Sequence, residues 1–289
     1  MNTASPAASA ATRNSLFANR NFSLLFGGSS VSAFGDQFTL VALPWLVLKL
    51  TGNPAALGLV LATMALPRAL FMLIGGAVVD RLSPRRVLLA ARGVNALLVG
   101  ALAVLVLLGD IHMWLVYVIA LGIGLATAFA YPAGSAILPQ LVSKEQLQPS
   151  NALVMGMRQL SMFIGPALAG LVISIGAHGA QAHAVQDAYG LGLAFSIDAI
   201  SFAFSLGSLL LIRIHSDFQP KPVVGGVLSN VASGVRMIWA DLPLRAFMLY
   251  AAVVSVFVGG PLQVGLPVLA DTRMDLGAAS LGILMTANG

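Results

Sequence analysis

Apolar stretches of 20 to 30 residues follow one another almost end to end along this chain of 289 residues, divided only by short polar or Gly/Pro punctuation. Each is long enough to cross a hydrocarbon core of about 30 Å as a helix. Only 9% of the residues are charged and 58% are hydrophobic, against about 25% charged in an ordinary soluble domain. A soluble core of this composition would have no polar surface to cover it. The expected fold class is an all-α polytopic membrane protein.

The runs place spans at Phe22–Leu48, Pro54–Val79, Val87–Leu108, Met113–Val142, Asn151–Ala177, Tyr189–Ile214 and Leu244–Ala270, with an eighth starting near Ala278. With the N-terminus inside, the cytoplasmic segments hold ten basic residues: Arg13, Arg20, Arg81, Arg85, Arg86, Lys144, Arg213, Lys221, Arg236 and Arg245. The opposite loops hold only Lys49 and Arg273, so the positive-inside rule predicts a cytoplasmic N-terminus. Residues 1–21 read as a cytoplasmic tail, since the span that follows is too long for a signal h-region. The 15 Lys and Arg form no basic face with interleaved aromatics, which argues against nucleic acid. Zero cysteines exclude disulfides, thiolate metal sites and a cysteine nucleophile.

Residues 215–243 are the long polar interruption, read as a linker followed by an amphipathic helix on the cytoplasmic interface. Residues 22–214 then form a six-span bundle, and 244–289 open a second one. That second set echoes the first. Phe17–Arg20 parallels Trp239–Leu242, Ala42-Leu43-Pro44 parallels Gly265-Leu266-Pro267, and Ala56–Leu59 parallels Ser280–Ile283, at offsets of 222, 223 and 224. A parallel repeat of six-span halves is a transporter architecture, and a second half of equal length would run about 145 residues further. The chain is therefore expected to be truncated.

The loop between spans two and three reads Gly76-Ala-Val-Val-Asp80-Arg81-Leu-Ser83-Pro84-Arg85-Arg86. It resembles the signature Gly-x3-Asp-Arg-x-Gly-x-Arg-Arg of the major facilitator superfamily, with Ser83 where that family prefers Gly. Gly76 is expected to let two helices approach closely, and Asp80 to join Arg81, Arg85 and Arg86 in a charge-assisted network. The resemblance implies that this network forms a cytoplasmic gate. Phe34-Gly35-Asp36, Thr51-Gly52-Asn53 and Asp198-Ala-Ile-Ser201-Phe202 further resemble the macrolide-efflux and siderophore-exporter-like branch. Span five carries Gly165, Pro166 and Gly170, similar to the antiporter motif of the superfamily, with Ala152, Ser161 and Ala169 replacing three of its glycines. The small face permits a close crossing and the proline a bend.

Ionisable residues at membrane depth mark pathways or their partners. At 1.5 Å per residue Asp36 lies about 21 Å from the cytoplasmic face, Asp198 about 24 Å and Arg68 about 17 Å. These three are the candidates for proton coupling or substrate contact, with Arg68 as the expected partner of Asp36; the alternative is a static ion pair stitching spans one, two and six together, the preferred reading for Asp198. Arg158, at about 11 Å, and Arg92, at about 8 Å, read as residues of the gate network or as snorkelling side chains. His112, His178, His183 and His215 fall in loops without metal-ligand spacing, and no Walker loop or nucleophile–base set is legible, so neither cofactor nor metal is expected.

The resemblance implies the major facilitator fold, with a complete N-terminal six-helix half, span seven and the start of span eight. It implies a secondary active exporter of an amphipathic small molecule, proton-coupled, in the bacterial inner membrane, and monomeric at full length. The alternatives are an inactive fragment of a transporter and a membrane-embedded enzyme.

Overall fold

The computed structural model describes residues 16–177, 187–213, 227–274 and 276–288, and all regular structure among them is helical. The all-α polytopic fold expected from the apolar runs is present. Six long helices form the first bundle: α1 Arg20–Thr51, α2 Pro54–Arg81, α3 Pro84–Leu108, α4 Met113–Ile137, α5 Lys144–Ala177 and α6 Ala188–Leu211. The second set comprises α7 Val227–Ala240, α8 Leu242–Val254, α9 Gly260–Arg273 and α10 Ala278–Asn288. Among the described residues seven helical stretches are long and apolar enough to cross a membrane, the seventh being Leu242–Arg273.

The ends of these helices are written in turn chemistry. Asn19 caps α1, its side chain accepting from the N–H groups of Asn21 and Phe22, and its own amide donates 2.7 Å to the Leu141 carbonyl beyond α4. Between α1 and α2, Gly52 takes the left-handed conformation (φ +61°) that closes a helix. Asn53 then caps the next helix and Pro54 fills its first position. α5 starts seven residues before the apolar run, because the polar stretch Lys144–Ser150 continues the helix straight through Pro149. Span seven departs from expectation. It is broken by a π-turn at Ser255–Gly259, between α8 and α9.

In the first bundle α2 packs on α4, α1 on α5 and α6, and α3 on α4 and α6. Two apolar clusters result. One, near the signature loop, gathers Leu16, Phe22, Leu25, Val79, Val87, Ile137 and Leu209. The other, towards Lys49, gathers Trp45, Leu57, Leu102, Ile119, Ile173, Phe195 and residues of α9 and α10. Between them α1 and α6 bury polar groups instead: Ser32, Asp198, Ser201 and Ser205. α9 and α10 dock on the first bundle near the Lys49 end, whereas α8 has no buried residue.

Candidate functional site in the bilayer

The polar layer is built by two small-residue faces. Ser32, Gly35 and Thr39 recur on one side of α1, and Asp198, Ser201, Ser205 and Ser208 on one side of α6, at the three- and four-residue spacings that align side chains on a helix. A Cβ on Gly35 would overlap the Ser201 hydroxyl and stand 2.7 Å from Asp198 Oδ1. That close approach brings Thr39 within reach of Asp198, which is 1% exposed. Thr39 Oγ1 donates to Asp198 Oδ2, and Ser201 Oγ donates to Oδ1 at 3.2 Å and to the Asp198 carbonyl at 2.7 Å. Both carboxylate oxygens are thus engaged, as burial of a charge-bearing group requires.

Asp36 follows Gly35 but points elsewhere. Its side chain is exposed and has no hydrogen bond among the described residues. The cations whose fields reach it are Arg92 and Arg158, and the field of Arg92 also reaches Asp198. Arg92 leaves α3, donates to Ser32 Oγ on α1 and lies 5.3 Å from the centre of the Phe202 ring on α6. Arg158 reaches from α5 to α4, donating to the Tyr131 hydroxyl with its guanidinium 4.9 Å from that ring's centre. The expected pairing of Asp36 with Arg68 is therefore corrected. Arg68, half-buried on α2, has no hydrogen bond or ion pair among the described residues and is absent from the charges acting on Asp36. Shared depth places two residues in one layer but says nothing about which way their helices turn them.

The signature loop also differs from expectation in detail. Ser83 has φ −59° and ψ 124°, the extended geometry that a following proline imposes, so the position needs no glycine. Arg85 donates to the last carbonyls of α6, from Nε to Leu209 at 3.1 Å and from Nη2 to Leu210 at 3.0 Å. It thereby caps that helix. Asn21 and Arg213 exchange two hydrogen bonds beside it, at 2.9 and 3.2 Å. A Cβ on Gly76 would meet no described atom within 4 Å. The close crossing of α2 and α4 falls one residue earlier, where a Cβ on Gly75 would lie 2.6 Å from the Ala128 carbonyl oxygen. Arg86 is exposed and Arg81 is engaged; the side chain of Asp80 lies outside those described, as do His178, His183 and His215.

Span five meets the second set of helices. A Cβ on Gly170 would stand 2.6 Å from the Ala278 carbonyl oxygen of α10, and one on Gly282 would overlap the Pro166 carbonyl. Gly165 lies instead against the side chain of Gln37. Nearby, Lys49 on α1 forms an ion pair with Asp271 on α9 at 2.9 Å and sits 4.8 Å from the centre of the buried Trp45 ring. Trp45 Nε1 in turn donates to Asp187 Oδ2 at 3.0 Å, tying in the start of α6. Lys49→Met is expected to loosen α9 from α1 at a cost of about 1 kcal/mol, because the pair is largely shielded. Cross-linking of cysteines placed at 58 and 264, where a Cβ on Gly58 lies 3.9 Å from Val264 Cγ2, should fall in that variant; undiminished cross-linking would show that the pair does not hold the two sets together.

Thr39, Ser32, Tyr131, Trp45, Lys49 and Asp271 all contribute here and were not among the residues singled out from the sequence. The serine and threonine positions were signalled by their spacing in otherwise apolar helices. Nothing local to either residue signalled the Lys49–Asp271 pair, which depends on a contact across 222 positions.

A helical bundle of membrane-crossing length, with a charged middle layer, defines a polytopic helical membrane protein. The sequence matches the transmembrane secretion effector family over residues 11–289, and the chain belongs to this family of the major facilitator superfamily. It is 29% identical over 230 residues to the multidrug efflux pump Tap of Mycolicibacterium fortuitum, covering 77% of this chain and 53% of that protein. It is 25% identical over 154 residues to macrolide efflux protein A of Streptococcus pyogenes, covering 53% and 38% of the two chains. To enterobactin exporter EntS of Citrobacter koseri it is 24% identical over 251 residues, covering 81% and 59%. The chain thus spans about half the length of these curated relatives. A crystal structure of tetrameric PepTSo2 shares the fold, with a TM-score of 0.57 at 15% identity over 87% of this chain and 58% of that one. The family is one of transporters, not of enzymes.

Proposed function

We propose that the chain forms the first six-span half, and the opening of the second, of a proton-coupled exporter working by alternating access on an amphipathic small molecule. The observation that carries this reading is Asp36: an exposed carboxylate at mid-depth, without a hydrogen bond among the described residues and within the fields of Arg92 and Arg158. A group so placed is costly unless it faces a cavity and serves a pathway. Asp198, held by Thr39 and Ser201, is the positioning partner of that layer, and Arg92 links the two. The Gly165–Gly170 face, the clasp at Lys49 and the signature loop with Asp80 and Arg81 are read as the parts that hold one access state, Arg85 by anchoring α6. Efflux by the named relatives supports the direction of transport, and Arg85 and Arg86 against Lys49 support a cytoplasmic N-terminus in a bacterial inner membrane.

Topology and activity can be tested together. Single cysteines at 84 and 53 are expected to label from opposite faces, position 53 from outside. Vesicles holding a version extended to the length of its relatives should expel a fluorescent amphiphile when a proton gradient is imposed. Labelling of both positions from outside would overturn the orientation, and efflux indifferent to the gradient would overturn the coupling.

A further inference from the structure

The outer seam between α3 and α6 is a part of the first bundle that the transport reading leaves without a role. The second set docks on α1, α2 and α5, whereas α3 and α6 take their packing from each other and from α1, α4 and α5. Their outward sides are apolar along the span, with Leu97, Val104 and Leu108 exposed on α3 and Ile200, Phe204 and Leu211 on α6. Outward faces of membrane-crossing helices meet hydrocarbon. At the signature-loop end of the seam three helix ends converge. Arg85 holds the last carbonyls of α6, and Asn21 bonds both ways to the Arg213 backbone. The starts of α1 and α3 and the end of α6 thereby gather Arg20, Arg86 and Arg213. All three are exposed, and none of their guanidinium groups has a partner among the described residues.

Next to these cations the seam is bare. A Cβ on Gly192 would overlap Leu107, and one on Gly100 would lie 3.8 Å from Ala199 Cβ, which fixes the antiparallel register of α3 and α6. The same register sets Gly93 level with Gly207 to within a residue, and an added Cβ at either would meet nothing within 4 Å. Gly93 follows Arg86 by about 10 Å along α3, on the helix side that residues 86, 90, 93 and 97 share. Leu97 and Phe204 stand exposed on its flanks. We propose that this seam binds an anionic phospholipid, its phosphate among Arg20, Arg86 and Arg213 and one acyl chain laid over Gly93 and Gly207. Charge and shape together select that occupant. A neutral lipid would leave three arginines unpaired at an interface that draws anionic headgroups, and a soluble anion would leave the apolar groove unfilled. Bound there, the headgroup adds a tie among α1, α3 and α6 at the end where Arg85 and Asn21 already join them. The site needs only that the helices cross a membrane, and it stands apart from the transport reading.

The chain has no cysteine, so a bimane label on a cysteine at 203, an exposed position one turn from Gly207, reads the lipid at the seam. A label at 104, exposed further along α3, is the reference. In bilayers of phosphatidylglycerol and phosphatidylcholine, brominating the acyl chains of one lipid or the other gives their relative occupancy at each label. Phosphatidylglycerol should be favoured about tenfold at 203 and less than about twofold at 104. Arg86→Gln and Arg213→Gln should each cut the preference at 203 by about fivefold, the worth of one basic group at an anionic surface. Arg245→Gln, which removes the same charge from α8, should change it by less than about twofold. Gly93→Leu fills the groove and should lower quenching at 203 by the chains of either lipid, with thermal melting unchanged. Equal preference at the two labels, or an Arg245→Gln effect equal to that of Arg86→Gln, would reduce the cluster to diffuse surface charge and overturn the site. Loss of the preference in inorganic phosphate, against chloride at the same ionic strength, would make it a site for free anions and overturn the lipid. Unchanged quenching in Gly93→Leu would overturn the groove.

Discussion

Replacing Gly35 by leucine is expected to abolish stable folding of the α1–α6 pair. A Cβ alone already overlaps the Ser201 hydroxyl, crowds Asp198 Oδ1 and stands 2.6 Å from Ser201 Cβ, which no side-chain rotation can move. Overpacking of this kind costs about 1–3 kcal/mol. Parting the helices also removes the Thr39–Asp198 hydrogen bond, and leaving such a buried group without its partner adds about 1–3 kcal/mol. The sum is comparable with much of the stability of a typical domain. Thermal melting in detergent, with Gly27→Leu alongside, is the measurement. Gly27 has no neighbour within 4 Å of an added Cβ and should tolerate the same side chain. Equal melting of the two variants would mean that the crossing is looser than its geometry requires.

Such close crossings mark how far the sequence could be read. The spans were legible because hydrocarbon thickness sets a length that apolar runs either reach or do not, and Gly52-Asn53-Pro54 is a turn in any context. The start of α5 was not, because Lys144–Ser150 is polar and interrupted by Pro149, and hydropathy carries no information about a helix emerging into water. The repeat offsets slip from 222 to 223 between their first two matches, and the π-turn at Ser255–Gly259 lies between those matches, inside a span and not in a loop. Within the charged layer, depth could be estimated from position, but azimuth could not. Arg92 was therefore read as a gate or snorkelling residue on depth alone; its side chain climbs to Ser32 and its field covers both carboxylates.

Neutralising Asp36 and neutralising Asp198 should then give opposite outcomes. Asp36 has no hydrogen bond among the described residues, so Asp36→Asn is expected to leave melting within about 0.5 kcal/mol of the parent chain. It should nonetheless remove proton-driven transport in a version extended to the length of its relatives, while sparing substrate exchange, which moves no net proton. Asp198 accepts hydroxyl protons on both oxygens. In Asp198→Leu neither oxygen remains, so the buried Thr39 hydroxyl is left without its acceptor, and the variant should lose about 1–3 kcal/mol. A second change separates charge from packing. Since Arg92 acts on both carboxylates, Arg92→Gln should interact with Asp36→Asn in a double-mutant cycle of transport, whereas Arg68→Gln should be additive with it. Coupling to Arg68 instead of Arg92 would restore the pairing suggested by depth alone. Undiminished proton-driven transport by Asp36→Asn would shift the carrier role to Asp198, the other carboxylate of the layer, and leave Asp36 as a charge that orients substrate.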